Sequence, residues 1–157
     1  MRRAQATVET LIAVLAILMM FFAAYRYSRM LAARTLLDHA AARAARAKAV
    51  GFNDFMCEKS ARVAMIPVAG ARTWPAGIDD VDEVSRIPMY LSADDWPLAR
   101  GILDYEFWPS TYINVRSGQG LAPVAESAVG IWTPDYEMTG RAAVESHFPH
   151  YMFDQGR

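Results

Sequence analysis

Along its first fifty positions the chain shows almost no interruption. No Gly or Pro occurs from Met1 to Val50, and from Thr10 to Tyr25 no residue carries a charge. Behind that apolar run, LAARTLLDHAAARAARAKAV is rich in Ala, Leu and Arg, all strong helix formers. One helix is predicted from about Thr7 to Val50, roughly 65 Å long at about 1.5 Å per residue. Gly51 is its C-cap. Alanines at 32, 33, 40, 41, 42, 44, 45, 47 and 49 permit close approach of another helix or of the chain's own head. The arginines between them ride on the outer surface or snorkel. His39 lies among these alanines with Arg43 at the i+4 position, so it reads as a surface or interface residue and not as a metal ligand.

Past Gly51 the pattern shortens. Ala61 to Ala69 (ARVAMIPVA) reads as a strand, and Pro67 makes it an edge or bulged one. Residues 70–89 read as loop. Ser92-Ala93-Asp94-Asp95 followed by WPLARGILDYEF reads as a short helix with its N-cap at Ser92 or Asp94 and Pro97 in its first turn. Ser110 to Arg116, a Ser-Gly-Gln-Gly turn and about Ala122 to Trp132 read as a hairpin. From Met138 to Arg157 no element is assigned. The predicted fold class is α+β: a long N-terminal stem helix packed on a small antiparallel-sheet head.

Charge divides the chain in the same place. Eight basic residues through Lys48 stand against Glu9 and Asp38, a balance of +6, which leaves −7 for the rest of a chain whose formal charge is −1. An acidic head argues against nucleic-acid binding, which needs a basic face. The basic stem suits phospholipid head groups or acidic partner subunits. The single cysteine, Cys57, cannot form an intrachain disulfide and reads as a small buried hydrophobe.

The front segment poses a sharper question. The sixteen positions Thr10 to Tyr25 cover about 24 Å as a helix, short of the roughly 30 Å hydrocarbon core. A comfortable span begins near Ala4 and so places Glu9 inside the membrane boundary or at it. An ionised carboxylate at mid-bilayer costs about 2.5–3.5 kcal/mol on insertion scales, so such a residue is a functional candidate that needs a partner. A cleaved secretory signal fits poorly, because Phe22 stands where a small residue is wanted before Ala24. A plain uncleaved anchor leaves Glu9 incidental. The charge flanks bear on orientation too: Arg26, Arg29 and Arg34 follow the apolar run, against Arg2, Arg3 and the terminal amine before it, and the positive-inside rule taken alone favours a cytoplasmic C-terminal side.

A further pattern accounts for the glutamate. Met1-Arg2-Arg3-Ala4, then Gln5-Ala6-Thr7-Val8-Glu9, then the apolar run resembles the class III signal of type IV pilin-like proteins, in particular the TadE-like pseudopilins of tight-adherence (Tad) pilus systems. Leu31-Ala32-Ala33-Arg34-Thr35, leading into the Ala/Arg-rich helix, resembles the same family. The match covers roughly residues 1 to 50. The residue before the cut is usually glycine in that family, and here it is Ala4. The resemblance implies a leader at 1–4, a prepilin peptidase cutting between Ala4 and Gln5, a membrane-spanning half at 5–25, a periplasmic stem at 26–50 and a head at 51–157. It makes Glu9 the fifth mature residue and an assembly residue. Cleavage frees an α-amino group, cationic at neutral pH, and the carboxylate of one chain meets the ammonium of the next, which selects axial register more than it adds stability. Leu11, Leu15, Leu18, Phe21, Phe22 and Tyr25 build the apolar bundle. The implied partners are other pilin or pseudopilin subunits, the prepilin peptidase and the inner-membrane pilus platform. The implied location is the inner membrane, single-pass, with the head in the periplasm or, within a pilus, outside the cell; the motif outweighs the charge flanks here, because an N-terminal leader must stay inside to be cut by that peptidase.

Enzymatic chemistry is not expected, and no cofactor or metal is assigned. His147 and His150 are three apart, but Pro149 separates them and no further ligand completes a zinc set. Asp79, Asp80, Asp82 and Glu83 cluster carboxylates without the spacing or glycine of a Ca²⁺ loop, so a solvated acidic loop is expected. Ser117-Gly118-Gln119-Gly120 lacks the Lys-Ser/Thr of a phosphate loop, and there is no G-x-S-x-G. The many aromatics of the second half, Trp96 and Trp108 among them, are expected mostly in the core, with some at a subunit or adhesion surface.

Overall fold

The computed structural model describes residues 2–75, 83–117, 124–133 and 136–145. Asp79, Asp80, Asp82, His147, His150 and the turn at 118–120 lie outside these residues. The chain divides into two compact units, Met1–Ala33 and Arg34–Arg157.

Helix α1 runs over Arg2–Val50, as the unbroken pattern predicts. It stops at Gly51, whose φ of 96° is open to glycine and strained for other residues. There the Gly51 N–H donates to the Lys48 carbonyl at 2.9 Å and the Phe52 N–H to the Ala47 carbonyl at 3.1 Å, the paired bonds of a Schellman cap.

The second unit begins with the last turns of α1 and is built on a three-stranded antiparallel sheet of order β3-β4-β5. The strands are β3 (Thr111–Ser117), β4 (Val124–Thr133) and β5 (Tyr136–Glu145). The hairpin pairs in register from Thr111 with Ile131 to Ser117 with Ala125. Strand β5 then pairs along the whole of β4. It was not foreseen, because YEMTGRAAVE mixes helix-favouring residues with glycine and its strand character comes from the partner it pairs with.

One face of this sheet receives α1. Leu37, Ala40, Ala41 and Ala44 are buried with Val129 and Ile131, and Ile113, Val115, Met138 and Ala142 pack against them. The alanines and Gly140 bring the two backbones together: a Cβ on Gly140 would overlap the main chain at Leu37 and Asp38. The buried Ser127 hydroxyl donates to the Ala41 carbonyl, so its polarity is satisfied at the contact.

Helix α2 (Asp54–Met65) corrects the expected strand at Ala61 to Ala69. Asn53 caps it, its side chain accepting the Met56 N–H at 2.8 Å. Cys57, Ala61, Ala64 and Met65 fall on one buried stripe at helical spacing. Pro67 sits in a single 3₁₀ turn, Ile66–Val68, that ends the helix. Residues 70–89 are likewise not all loop. They contain β1 (Arg72–Trp74) and most of α3 (Glu83–Ser92). Pro88 lies inside α3, a cost of about 3 kcal/mol that hides the helix from sequence rules. The buried Tyr90 of the same helix offsets it. Helix α4 (Trp96–Ile102) carries Pro97 in its first turn as expected, but its cap is Asp95, which accepts the Leu98 N–H at 2.8 Å. Ser92 ends α3 instead, its hydroxyl donating to the Met89 carbonyl. Strand β2 (Asp104–Tyr105) pairs antiparallel with β1. These elements enclose a second cluster of Ala69, Tyr90, Ala93, Ala99, Leu103 and Trp108.

Candidate functional site

The front of α1 offers the strongest functional feature. The helix is long and apolar enough to cross a membrane, with a mean hydropathy of 2.2 over its best window, and no part of that window is buried. Leu11, Leu15, Leu18, Phe21, Phe22 and Tyr25 are all more than half exposed or close to it. No polar backbone group in this stretch needs outside help, since a helix satisfies them internally. The Thr10 hydroxyl does the same, donating to the Ala6 carbonyl at 2.8 Å. At the far end the Arg29 guanidinium stands 6.0 Å from the Tyr25 ring centroid. An aromatic–cation pair of this kind suits the boundary between apolar and aqueous surroundings.

The helical period sorts these side chains by size. Glu9 shares a face with Ala13, Ala16, Met20 and Ala23. Leu11, Leu18, Phe22 and Tyr25 lie on the opposite face, with Leu15 and Phe21 flanking it. The carboxylate therefore sits on the side that another helix can approach most closely. Ala4 and Gln5, the expected processing pair, lie on the first turn of helical backbone.

In the second unit α2 carries two buried cations that sequence reasoning missed, because it took half of α2 for a strand. The Lys59 ammonium donates to the Leu91 carbonyl at 2.9 Å and the Ala93 carbonyl at 2.5 Å. It also stands 5.2 Å from the Phe55 ring centroid and 5.3 Å from that of Tyr90. Arg62 pairs with Glu58 at 2.7 Å and lies over the Trp96 ring at 4.2 Å. Both cations are spent on joining α2 to α3, α4 and Trp108, a structural role. Burial pulls the Lys59 pKa below its usual value, against the opposing pull of Asp94. The sign for stability follows from proton binding. The unfolded chain holds the Lys59 proton more tightly, so this residue's contribution rises as pH climbs toward 10.5. Measured against Lys59→Met by urea unfolding, the wild type is expected to gain stability across that alkaline range. A flat difference would refute the burial cost. The comparison is needed because burial raises the pKa values of Cys57 and Tyr90, whose contributions fall at alkaline pH.

Two buried polar atoms, the Tyr90 hydroxyl and the Trp108 Nε1, have no hydrogen-bond partner among the described residues. Removing an unsatisfied buried hydroxyl relieves a desolvation cost of about 1–3 kcal/mol. Tyr90→Phe is therefore expected to leave the head as stable as the wild type or more so by thermal unfolding, and a loss of several degrees would show that the hydroxyl is bonded after all.

No group of three or more His, Cys, Asp and Glu poised to hold a metal occurs among the described residues. Cys57 is buried and free, its Sγ 3.7 Å from the Phe52 carbonyl. A long N-terminal apolar helix followed by a small antiparallel sheet on which its rear turns pack is a pilin-like layout, compatible with a pilin-like or a single-pass membrane protein. No family model, curated protein or solved structure matches the chain.

Proposed function

We propose that the protein is a TadE-like minor pilin or pseudopilin of a Tad-type pilus, a structural or initiating subunit and not an enzyme. It enters the inner membrane as a single-pass precursor with its head in the periplasm. Prepilin peptidase cuts it after Ala4, and it assembles with other pilin subunits through its N-terminal helix. The observation that carries this reading is the placement of Glu9 on the small-residue face of an exposed apolar helix. A lone carboxylate there is a cost to a plain anchor. It is useful to a bundle in which the freed amine of Gln5 on a neighbouring chain neutralises it.

The test is the N-terminal mass of the protein purified from membranes of its own host, with and without the prepilin peptidase. A chain beginning at Gln5, seen only with the peptidase, is the expected result. An intact N-terminus in both strains would reduce the helix to a plain anchor and move the function to the head. The second reading, a bitopic protein whose head is a binding module, gains support from the open outer face of the sheet. The two separate when the head is moved onto an unrelated anchor, since a binding module keeps its whole function there and a pilin loses pilus assembly.

A further inference from the structure

The outward face of the three-stranded sheet contributes nothing to the two buried clusters of the head. Part of it forms an open groove of about 580 Å³. Ala128 and Ala143 make its floor, and Asn114, Arg116, Glu126 and Arg141 rise around it. Register sets Arg116 opposite Glu126, and Asn114 opposite Ala128, which in turn faces Arg141. Arg116 and Arg141 thus stand two strands apart and one row out of step, about 12 Å between backbones from ordinary strand spacings. Both are exposed, and none of the ion pairs among the described residues involves either of them or Glu126. The groove is cationic on balance although the chain beyond Lys48 is strongly acidic.

Farther along the same face the side chains become flat and aromatic. The Tyr112 ring lies across the bare backbone of Gly130, where any Cβ would overlap it. Its hydroxyl is held by Thr139 at 2.6 Å and Glu137 at 3.2 Å, so the ring is fixed. In the next row Trp132 faces Glu137, with its side chain 58% exposed. This exposed tryptophan near the end of β4 is available to a ligand with a flat apolar face.

We propose that this face binds an acidic polysaccharide, a use of the head that goes beyond filament assembly and does not depend on it. Sugar rings stack on Trp132 and Tyr112. Their carboxylates seat on the Arg116 and Arg141 guanidiniums, which offer forked donors. Asn114 and Glu126 take hydroxyls. Glu126 favours a polysaccharide over a merely anionic peptide such as polyglutamate, because its carboxylate accepts from the hydroxyls that sugar rings carry and polyglutamate lacks.

The experiment uses the full chain in uncharged detergent, titrated calorimetrically with polygalacturonate, with neutral dextran and with polyglutamate. Salt-sensitive binding of polygalacturonate, far weaker for the other two, is expected. Trp132→Ala and the double variant Arg116→Gln/Arg141→Gln should each weaken it by about tenfold or more, the scale of one stacked ring or one charge-assisted bond. Each variant should keep the wild-type unfolding midpoint, since these side chains are exposed. Absence of polygalacturonate binding, equal binding of polyglutamate, or unchanged binding in both variants overturns the proposal.

Discussion

Gly140→Val is expected to cost the head about 3 kcal/mol or more, the upper end for overpacking a close contact. Valine favours strands, so the substitution improves the local propensity of β5 and the loss must come from contact. A Cβ at this position meets the main chain of α1 at Leu37 and Asp38, not the end of a movable side chain. The helix must then lift from the sheet, and the buried set of Leu37, Ala40, Ala41 and Ala44 opens with it. The Ser127 bond to the Ala41 carbonyl is lost in the same movement. Against a typical domain stability of about 5–15 kcal/mol this is a large fraction. Gly101→Ala supplies the contrast: it lies in α4, nothing stands within 4 Å of its added Cβ, and a helical Gly-to-Ala change gains about 0.5–1 kcal/mol. Urea unfolding of the full chain in detergent, followed by tryptophan fluorescence, reads both variants. If Gly140→Val unfolds within about 1 kcal/mol of the wild type, the packing of α1 on β5 is looser than its geometry states.

The same contrast explains what the sequence disclosed and what it hid. Helix α1 was legible because propensity, the absence of Gly and Pro, and a capping glycine all agree over its whole length. The hairpin of β3 and β4 was legible because STYINVR alternates and a Gly-containing turn follows it. Helices α2 and α3 were not, since each carries or abuts a proline that local rules read as a break. Beyond the local Asn53 cap of α2, what stabilises them is tertiary: Lys59 reaching the carbonyls of Leu91 and Ala93, and the Tyr90 and Trp108 rings packed with centroids 5.7 Å apart. Of the candidate site, Glu9 stood out because charge in an apolar run is visible without a structure. The groove of Arg116 and Arg141 did not, because it exists only once β5 is laid beside β4.

If the chain assembles as proposed, Glu9→Ala is expected to abolish incorporation into pili and to leave membrane insertion and cleavage after Ala4 largely intact. Insertion should if anything become easier, since a carboxylate leaves the apolar segment. The loss belongs to assembly. On the pilin reading proposed above, loss of the carboxylate leaves the amine freed at Gln5 of the neighbouring chain buried without a partner, and a broken buried pair costs about 3–5 kcal/mol. At about 1.4 kcal/mol per factor of ten, that is more than a hundredfold against each subunit added. Glu9→Gln keeps the shape and a hydrogen-bonding group but not the charge. It should fail nearly as badly if pairing sets the register, and should work if bulk alone matters. The position of Glu9 sharpens the test. Ala16 shares its face, so Ala16→Phe should also block assembly by holding neighbouring helices apart. Leu18→Phe, on the opposite face, should be tolerated. Electron-microscopic pilus counts, set beside the amount and N-terminal mass of membrane protein, distinguish these outcomes. Normal pili in Glu9→Ala would remove the register role. Failure of Leu18→Phe with success of Ala16→Phe would place the helix contact on the bulky face and leave Glu9 turned toward lipid.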